Sequence, residues 1–196
     1  GLDADPAFVE HGRKSAPPNV DFRQGDAYRT GLPEASFDLV HVRFVASTAG
    51  EGQKLLREAI RLAKPGAFVA FQESDDSSLR CFPPHAAFDR LGEVMAALLL
   101  RVGGNPRFGQ GMYKMFHDAG LRELGYRPFV LGVRSGDPFH DFLPATVESM
   151  RSALVAEKLA GSEELDRLIA ECRAHLARPD TVFSLYTTVQ VWGRKP

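Results

Sequence analysis

The strongest constraint on the fold is a strand–helix–strand pattern in the first half of the chain. Its first segment, FDLVHVRF at Phe37–Phe44, is apolar and β-branched, which favours a buried strand of a parallel sheet. Gly52–Ala63 then repeats apolar residues at helical spacing, and Pro65-Gly66 ends this helix. Ala67–Gln72 returns as a second apolar strand. Because parallel neighbours need a crossover of this kind, the pattern predicts an α/β sheet.

The flanking regions continue the alternation of helices and strands. The pattern predicts helices at Pro6–Lys14, His85–Val102 and Gln110–Ala119, two helices within Asp137–Arg178 that separate at Gly161-Ser162, and strands at Val20–Arg23, Leu124–Val133 and Thr181–Trp192. Pro128 indicates an edge position for its strand, because proline cannot donate to a ladder. We expect a mostly parallel sheet whose final two strands form an antiparallel pair.

Composition narrows the classes of partner. The net charge of −1 gives no broad attraction to nucleic acid or to an anionic membrane. No apolar run reaches the roughly 18 residues that a membrane span needs. Cys81 and Cys172 are far apart and show no metal-ligand spacing. Free thiols of this kind favour a reducing cytoplasm, and the sequence predicts no metal site.

Two acidic residues follow predicted strands, where ligands bind in open α/β sheets. Asp3 follows a strand that would end in Gly1-Leu2, and Asp26 follows Val20–Arg23 and Gly25. Asp3 can accept hydrogen bonds from both hydroxyls of a ribose, or it can share with Asp5 the capping of the helix at Pro6. Asp26 can accept from an exocyclic amine while the Ala27 N–H reaches a ring nitrogen, which fits an adenine edge. Taken alone, Asp26 is explained better as an ordinary turn aspartate.

Polar residues also follow the next two strands. Arg43 ends the FDLVHVRF segment and can pair with a ligand carboxylate, or it can extend into solvent. Glu73, Asp75 and Asp76 can bind an ammonium group, hold a metal or act as a base, and a solvated loop with a helix cap is the alternative.

Taken together, these pieces resemble the class I S-adenosylmethionine-dependent methyltransferases, in particular their small-molecule branch. The resemblance rests on GLDADP, on QGDA before LPEASFDLV, on HVRFV and on LLREAIRLAKPGAFVAFQE. It covers residues 1–75 closely, and GGNPRFGQGMYKMFHDAGL is similar to the family's penultimate helix region. It implies a Rossmann-like, mostly parallel α/β sheet with an antiparallel final strand pair and helical lid insertions.

The resemblance also implies a cofactor and site residues. S-adenosyl-L-methionine would be the methyl donor and S-adenosyl-L-homocysteine the product, held by Asp3, Ala4, Asp26, Ala27 and Arg43. Phe44, Arg107 and Phe139 are expected to line the site of a small, apolar or aromatic acceptor. Glu73, Asp75 and His140 are the candidate bases. A single domain, 1–196, would contain a cofactor-binding half, 1–76, and lid segments at 77–120 and 137–180. A homodimer stays open.

One part of the family pattern has no counterpart. The first strand and the glycine-rich loop that holds the methionine part of the cofactor are absent from the sequence. Omitting a central strand would expose two strand edges, so we expect roughly 40 or more residues to precede Gly1. A non-catalytic, methyltransferase-like scaffold is the alternative function. A nicotinamide-dependent Rossmann oxidoreductase is a further one, against which the Gly-Asp-Ala turn and the missing Tyr-x-x-x-Lys pair argue.

Overall fold

The computed structural model describes residues Gly1–Pro196. Its strands are β1 (Leu2–Asp3), β2 (Arg23–Gln24), β3 (Phe37–Arg43), β4 (Ala63–Asp75), β5 (Arg80–Phe82), β6 (Arg122–Phe129), β7 (Gly132–Arg134), β8 (Val182–Ser184) and β9 (Thr187–Arg194). Its helices are α1 (Pro6–Lys14), α2 (Ala46–Ala49), α3 (Gly52–Leu62), α4 (Ala86–Arg101), α5 (Phe108–Asp118), α6 (Phe142–Ser149), α7 (Arg151–Ala156) and α8 (Ser162–Leu176). No helix combines the length and the apolar character that crossing a membrane requires.

The strands form three sheets. The main sheet has the order β3-β4-β9-β6, with β3 parallel to β4 and with β9 antiparallel to both of its neighbours. β1 and β2 form a separate parallel pair, and β5-β8-β7 form a small antiparallel sheet. The α/β class and the antiparallel final pair are confirmed. Pro128 lies on the edge strand β6, as expected of a residue without an N–H.

One face of the main sheet is covered by α3 and α5. Alternate residues of β4 face these helices and are buried, and the apolar stripe of α3 packs against them. Gly109 lets α5 approach closely, because a Cβ there would lie 2.7 Å from Cγ2 of Val189. This cluster of 13 buried residues holds the strand ends in place.

The other face of the main sheet is open, which corrects the prediction that Phe37–Phe44 is a buried strand. β3 pairs with β4 along one edge only, and Leu39 remains 57% exposed. A shallow groove of about 340 Å³ crosses this face, between Leu39, His41 and Trp192. The parallel pairing was read correctly from the composition, but an apolar strand need not have both faces covered.

A second cluster of 20 buried residues lies among the helices that are expected to form a lid. It joins α4, α6, α7 and α8 to the small sheet β5-β8-β7. The region predicted as two helices contains three, because the chain breaks at Met150 and again before Ser162. The N-cap of α8 is Gly161, and Ser162 is its first residue. α5 packs on the main sheet, so the lid expected at 77–120 narrows to its first part.

Candidate functional site

Asp3 and Asp26 lie at the same end of the parallel pair β1-β2. Asp3 is the last residue of β1 and pairs in register with Gln24, two residues before Asp26. The Gly25 N–H donates to the Asp3 carbonyl at 2.9 Å, which fixes the turn between them. The two carboxylates predicted from sequence therefore follow neighbouring strands at one edge of this sheet.

One oxygen of each exposed carboxylate accepts a hydrogen bond from a backbone N–H of its own turn. Asp3 Oδ1 accepts from the Asp5 N–H at 2.8 Å, and Asp26 Oδ1 accepts from the Tyr28 N–H at 2.8 Å. Asp5, and not Asp3, caps α1 by accepting from the Ala7 N–H at 2.8 Å. The second oxygen of each aspartate stays uncommitted, as does the Ala27 N–H, so both predicted ligand roles remain chemically open.

The Asp26 turn is tied to the main sheet through Tyr28 and Thr30. The Tyr28 hydroxyl donates to the Gly50 carbonyl at 3.0 Å, just ahead of α3. Burial raises the pKa of Tyr28, which keeps this hydroxyl a donor. Thr30 donates through both its N–H and its hydroxyl to Glu58 on α3. These contacts hold the β1-β2 unit against the side of the molecule where β3 ends.

Glu73 is a structural anchor and does not fit its predicted role as a base. Its side chain is 0% exposed. Its two oxygens accept hydrogen bonds from the N–H groups of Val45, Ala46 and Ser47 at 3.0, 2.9 and 3.0 Å. A carboxylate committed to three donors satisfies the first N–H groups of α2 and has no access to a substrate.

Asp75 and Asp76 also have hydrogen-bond partners, which include residues at the start of α5. Asp75 Oδ1 accepts from the Ser77 N–H at 2.9 Å and from Gln110 Nε2 at 3.3 Å. Asp76 Oδ1 accepts from Arg107 Nε at 3.0 Å, so the predicted acceptor residue Arg107 is paired with an acid. The three acids that the sequence groups together therefore make separate structural contacts with α2 and with the start of α5.

The remaining predicted residues lie at two different places. Phe44 follows β3 and is half-buried, with Arg43 immediately before it. Phe139 and His140 precede α6 and are exposed, and the ring Nδ1 of His140 lies 2.9 Å from the Asp137 carbonyl oxygen. No contact joins Phe139 or His140 to Phe44.

Sequence reasoning missed Tyr186 as a site residue. It lies in the break between β8 and β9, inside a stretch that reads as one continuous strand. Its ring contacts Phe44 and Phe142 edge-on, with centroid distances of 5.8 and 5.6 Å. No local sequence signal marks it, because the three rings meet only when the lid packs against the end of β3.

Comparison with known proteins relates the first part of the chain to methyltransferases. Residues 1–71 match a family described as a methyltransferase domain. An uncharacterized methyltransferase of Schizosaccharomyces pombe is 31% identical over 94 residues, which are 48% of this chain and 34% of that protein. The N-methyltransferase tcpN of Claviceps purpurea is 27% identical over 92 residues, 45% of this chain and 33% of that protein. The chain thus spans about a third of the length of these two relatives.

Solved structures give the same fold. The YcgJ protein of Bacillus subtilis aligns with a TM-score of 0.57 at 17% identity, covering 100% of this chain and 82% of that one. The methyltransferase BH2331 of Bacillus halodurans aligns with a TM-score of 0.59 at 17% identity, covering 100% and 81%. The match of residues 1–71, the methyltransferase names of the relatives and this shared fold together support a class I S-adenosylmethionine-dependent methyltransferase.

Proposed function

We propose that the protein transfers a methyl group from S-adenosylmethionine to a small acceptor of apolar or aromatic character. The observation that carries this proposal is the pair of acids at the ends of β1 and β2, each with one uncommitted oxygen. A solved relative, a phosphoethanolamine N-methyltransferase of Haemonchus contortus, was crystallised with S-adenosyl-L-methionine, which supports this choice of cofactor.

The donor set fits the nucleoside half of this cofactor. Ribose hydroxyls need an acceptor, which the free oxygen of Asp3 supplies, with Ala4 beside it. An adenine edge needs one acceptor and one donor, which Asp26 and the Ala27 N–H supply. The methionine half has no glycine-rich loop in this chain. β1 and β3 each have one unpaired edge, where a further strand could pair.

When bound, the cofactor would supply a sulfonium methyl for in-line transfer to a nucleophile. The contribution of this chain is placement and exclusion of water, and orientation alone can lower a barrier by about 7–11 kcal/mol. A strong base is therefore unnecessary. Glu73 does not fit the role of a base, because both of its oxygens accept hydrogen bonds from backbone N–H groups. Asp75 and His140 remain the proposed bases.

The proposed division of labour follows the two buried clusters. Residues 1–76 contain the cofactor half, and the lid comprises the α4 region and 137–180.

Both cysteines are buried free thiols, and burial raises the pKa of Cys172 to about 12, so it is unreactive at neutral pH. These thiols support the cytoplasm as the proposed location.

Calorimetric titration with S-adenosylhomocysteine tests the proposal. Asp26→Ala removes the acceptor for the adenine amine, so we expect affinity to fall about tenfold. Asp21→Ala is the matched control, because Asp21 is exposed on the same unit and pairs only with Arg23. Unchanged affinity in Asp26→Ala would remove its adenine role. No binding by the natural protein at full length would sink the proposed function.

A further inference from the structure

Three aromatic rings join the main sheet to the lid. Phe44 follows β3, Tyr186 lies between β8 and β9, and Phe142 begins α6. The Tyr186 ring meets Phe44 at an interplanar angle of 82° and Phe142 at 60°. Because the rings come from three distant parts of the chain, their contact fixes how the lid sits over the carboxyl end of β3.

The backbone at Phe44 is strained in order to direct its ring. Its φ of 52° lies in the left-handed region, which is unusual for a bulky residue. The Phe44 N–H donates to the Gln72 carbonyl at 2.9 Å, and the Phe44 carbonyl accepts from the Thr48 hydroxyl at 3.0 Å. Strain held in place by such contacts concentrates at functional sites.

A positive charge without an acidic partner, that of Arg43, lies at this edge of the sheet. The guanidinium carbon of Arg43 lies 5.3 Å from the centre of the Phe44 ring, and the guanidinium has no acidic partner. The acids at the carboxyl end of β4 already have partners. Glu73 accepts from three backbone N–H groups, Asp75 from Ser77 and Gln110, and Asp76 pairs with Arg107. An anionic group can therefore bind Arg43 without competition from a carboxylate of the chain.

Tyr186 adds a hydrogen-bond donor beside this charge. Burial raises the pKa of Tyr186, although the nearby charge of Arg43 lowers it in part, so the phenol stays protonated at neutral pH. Its hydroxyl has no hydrogen-bond partner in the chain. Edge-on contacts with Phe44 and Phe142 fix the position of the Tyr186 ring, so its hydroxyl is positioned to donate a hydrogen bond to a ligand.

We propose that Arg43, Phe44, Phe142 and Tyr186 form the acceptor subsite and that it selects a flat aromatic acceptor carrying a carboxylate. Arg43 pairs with the carboxylate, the Tyr186 hydroxyl donates to it, and Phe44 and Phe142 contact the ring. The assignment rests on the proposed function and narrows its acceptor class. It also moves Arg43 from the methionine part of the cofactor, where the family resemblance places it, to the acceptor.

Benzoate is the probe, and benzamide is its neutral counterpart of the same shape. Calorimetric and saturation-transfer NMR titrations would compare the wild type with Arg43→Gln, Tyr186→Phe and the control Arg57→Gln, an exposed arginine of α3 without an acidic partner. Losing a charged hydrogen bond should weaken benzoate binding about tenfold or more in Arg43→Gln, and losing the hydroxyl about two- to tenfold in Tyr186→Phe. Arg57→Gln should match the wild type, and benzamide should bind more weakly and respond little to Arg43→Gln.

Several results would overturn the subsite. These are absence of benzoate binding in the wild type, equal benzoate affinity in Arg43→Gln, equal affinity for benzamide, or displacement of benzoate by S-adenosylhomocysteine. Displacement of benzoate by S-adenosylhomocysteine would show that Arg43 binds the cofactor. The benzoate measurement needs no cofactor, so its outcome is separate from that of the proposed function. Cofactor binding together with failed benzoate titrations would remove only the subsite. The converse would keep a site for aromatic carboxylates and remove the methyl-transfer role.

Discussion

At the scale of single residues, hydrogen bonds decide which strand-end acids are free for a ligand. Glu73 and Asp26 are both predicted site residues, because each follows a strand that the sequence predicts. In the structure Glu73 lies inside β4, which continues to Asp75. Glu73 accepts from three N–H groups and is buried, whereas Asp26 accepts from one and is exposed. Sequence could place these acids at the ends of strands, but it could not say which backbone donors would reach them.

The anchoring role of Glu73 makes a direct stability prediction. Glu73→Gln keeps the shape but removes the charge and turns an amide NH₂ toward N–H donors, so we expect a loss of about 2–3 kcal/mol in the free energy of unfolding. Urea denaturation measures this loss. Glu10→Gln is the control, because Glu10 is exposed and pairs only with Lys14, and it should change stability by less than about 0.5 kcal/mol. If Glu73→Gln unfolds like the wild type, the anchor assignment is wrong.

At the scale of elements, local signals predicted what local chemistry controls. The bounds of α1 were predicted to the residue, since Asp5 caps it and Pro6 suits its first turn. The helix before Lys64-Pro65-Gly66 and the strand after it were also predicted. In the structure, β4 begins earlier and ends later than the predicted Ala67–Gln72. The predicted strand Thr181–Trp192 is broken at Leu185-Tyr186, where the chain passes from the small sheet to the main one. That break depends on tertiary packing, which no local pattern encodes.

The link between α3 and the Asp26 turn predicts a pH dependence. Hydrogen bonds from Arg61 and Thr30 lower the pKa of Glu58 from 4.5 to about 2. A carboxylate with a lowered folded-state pKa stabilises the fold above its unfolded pKa, and this stability is lost as the pH falls from 4.5 toward 2. The full loss is about 3 kcal/mol, at 1.36 kcal/mol per pKa unit.

Urea unfolding as a function of pH tests this link. Glu58→Gln should be less stable than the wild type at neutral pH, and its stability should fall less steeply on acidification. Glu171→Gln is the control, since Glu171 is exposed and bound only to Arg167, and it should keep the acid slope of the wild type. An acid slope in Glu58→Gln equal to that of the wild type would contradict the assignment.

At the scale of the whole molecule, two buried clusters meet at a seam lined by aromatic rings. The main-sheet cluster holds the strand ends, and the lid cluster carries α4, α6, α7 and α8. Asp3 and Asp26 were predictable because each follows a strand within a local motif. Tyr186 and Phe142 were not predicted to meet, because topology alone brings them to Phe44. The open face and free edge of β3 also reflect the whole sheet, which its own apolar sequence does not reveal.

The central claim is that the acids at the ends of β1 and β2 bind S-adenosylmethionine and not a nicotinamide dinucleotide. The most direct measurement is a pair of calorimetric titrations of the natural protein at full length, one with S-adenosylhomocysteine and one with NAD. We predict saturable binding of S-adenosylhomocysteine, weakened by Asp26→Ala, and no binding of NAD. Binding of NAD without binding of S-adenosylhomocysteine would contradict the account.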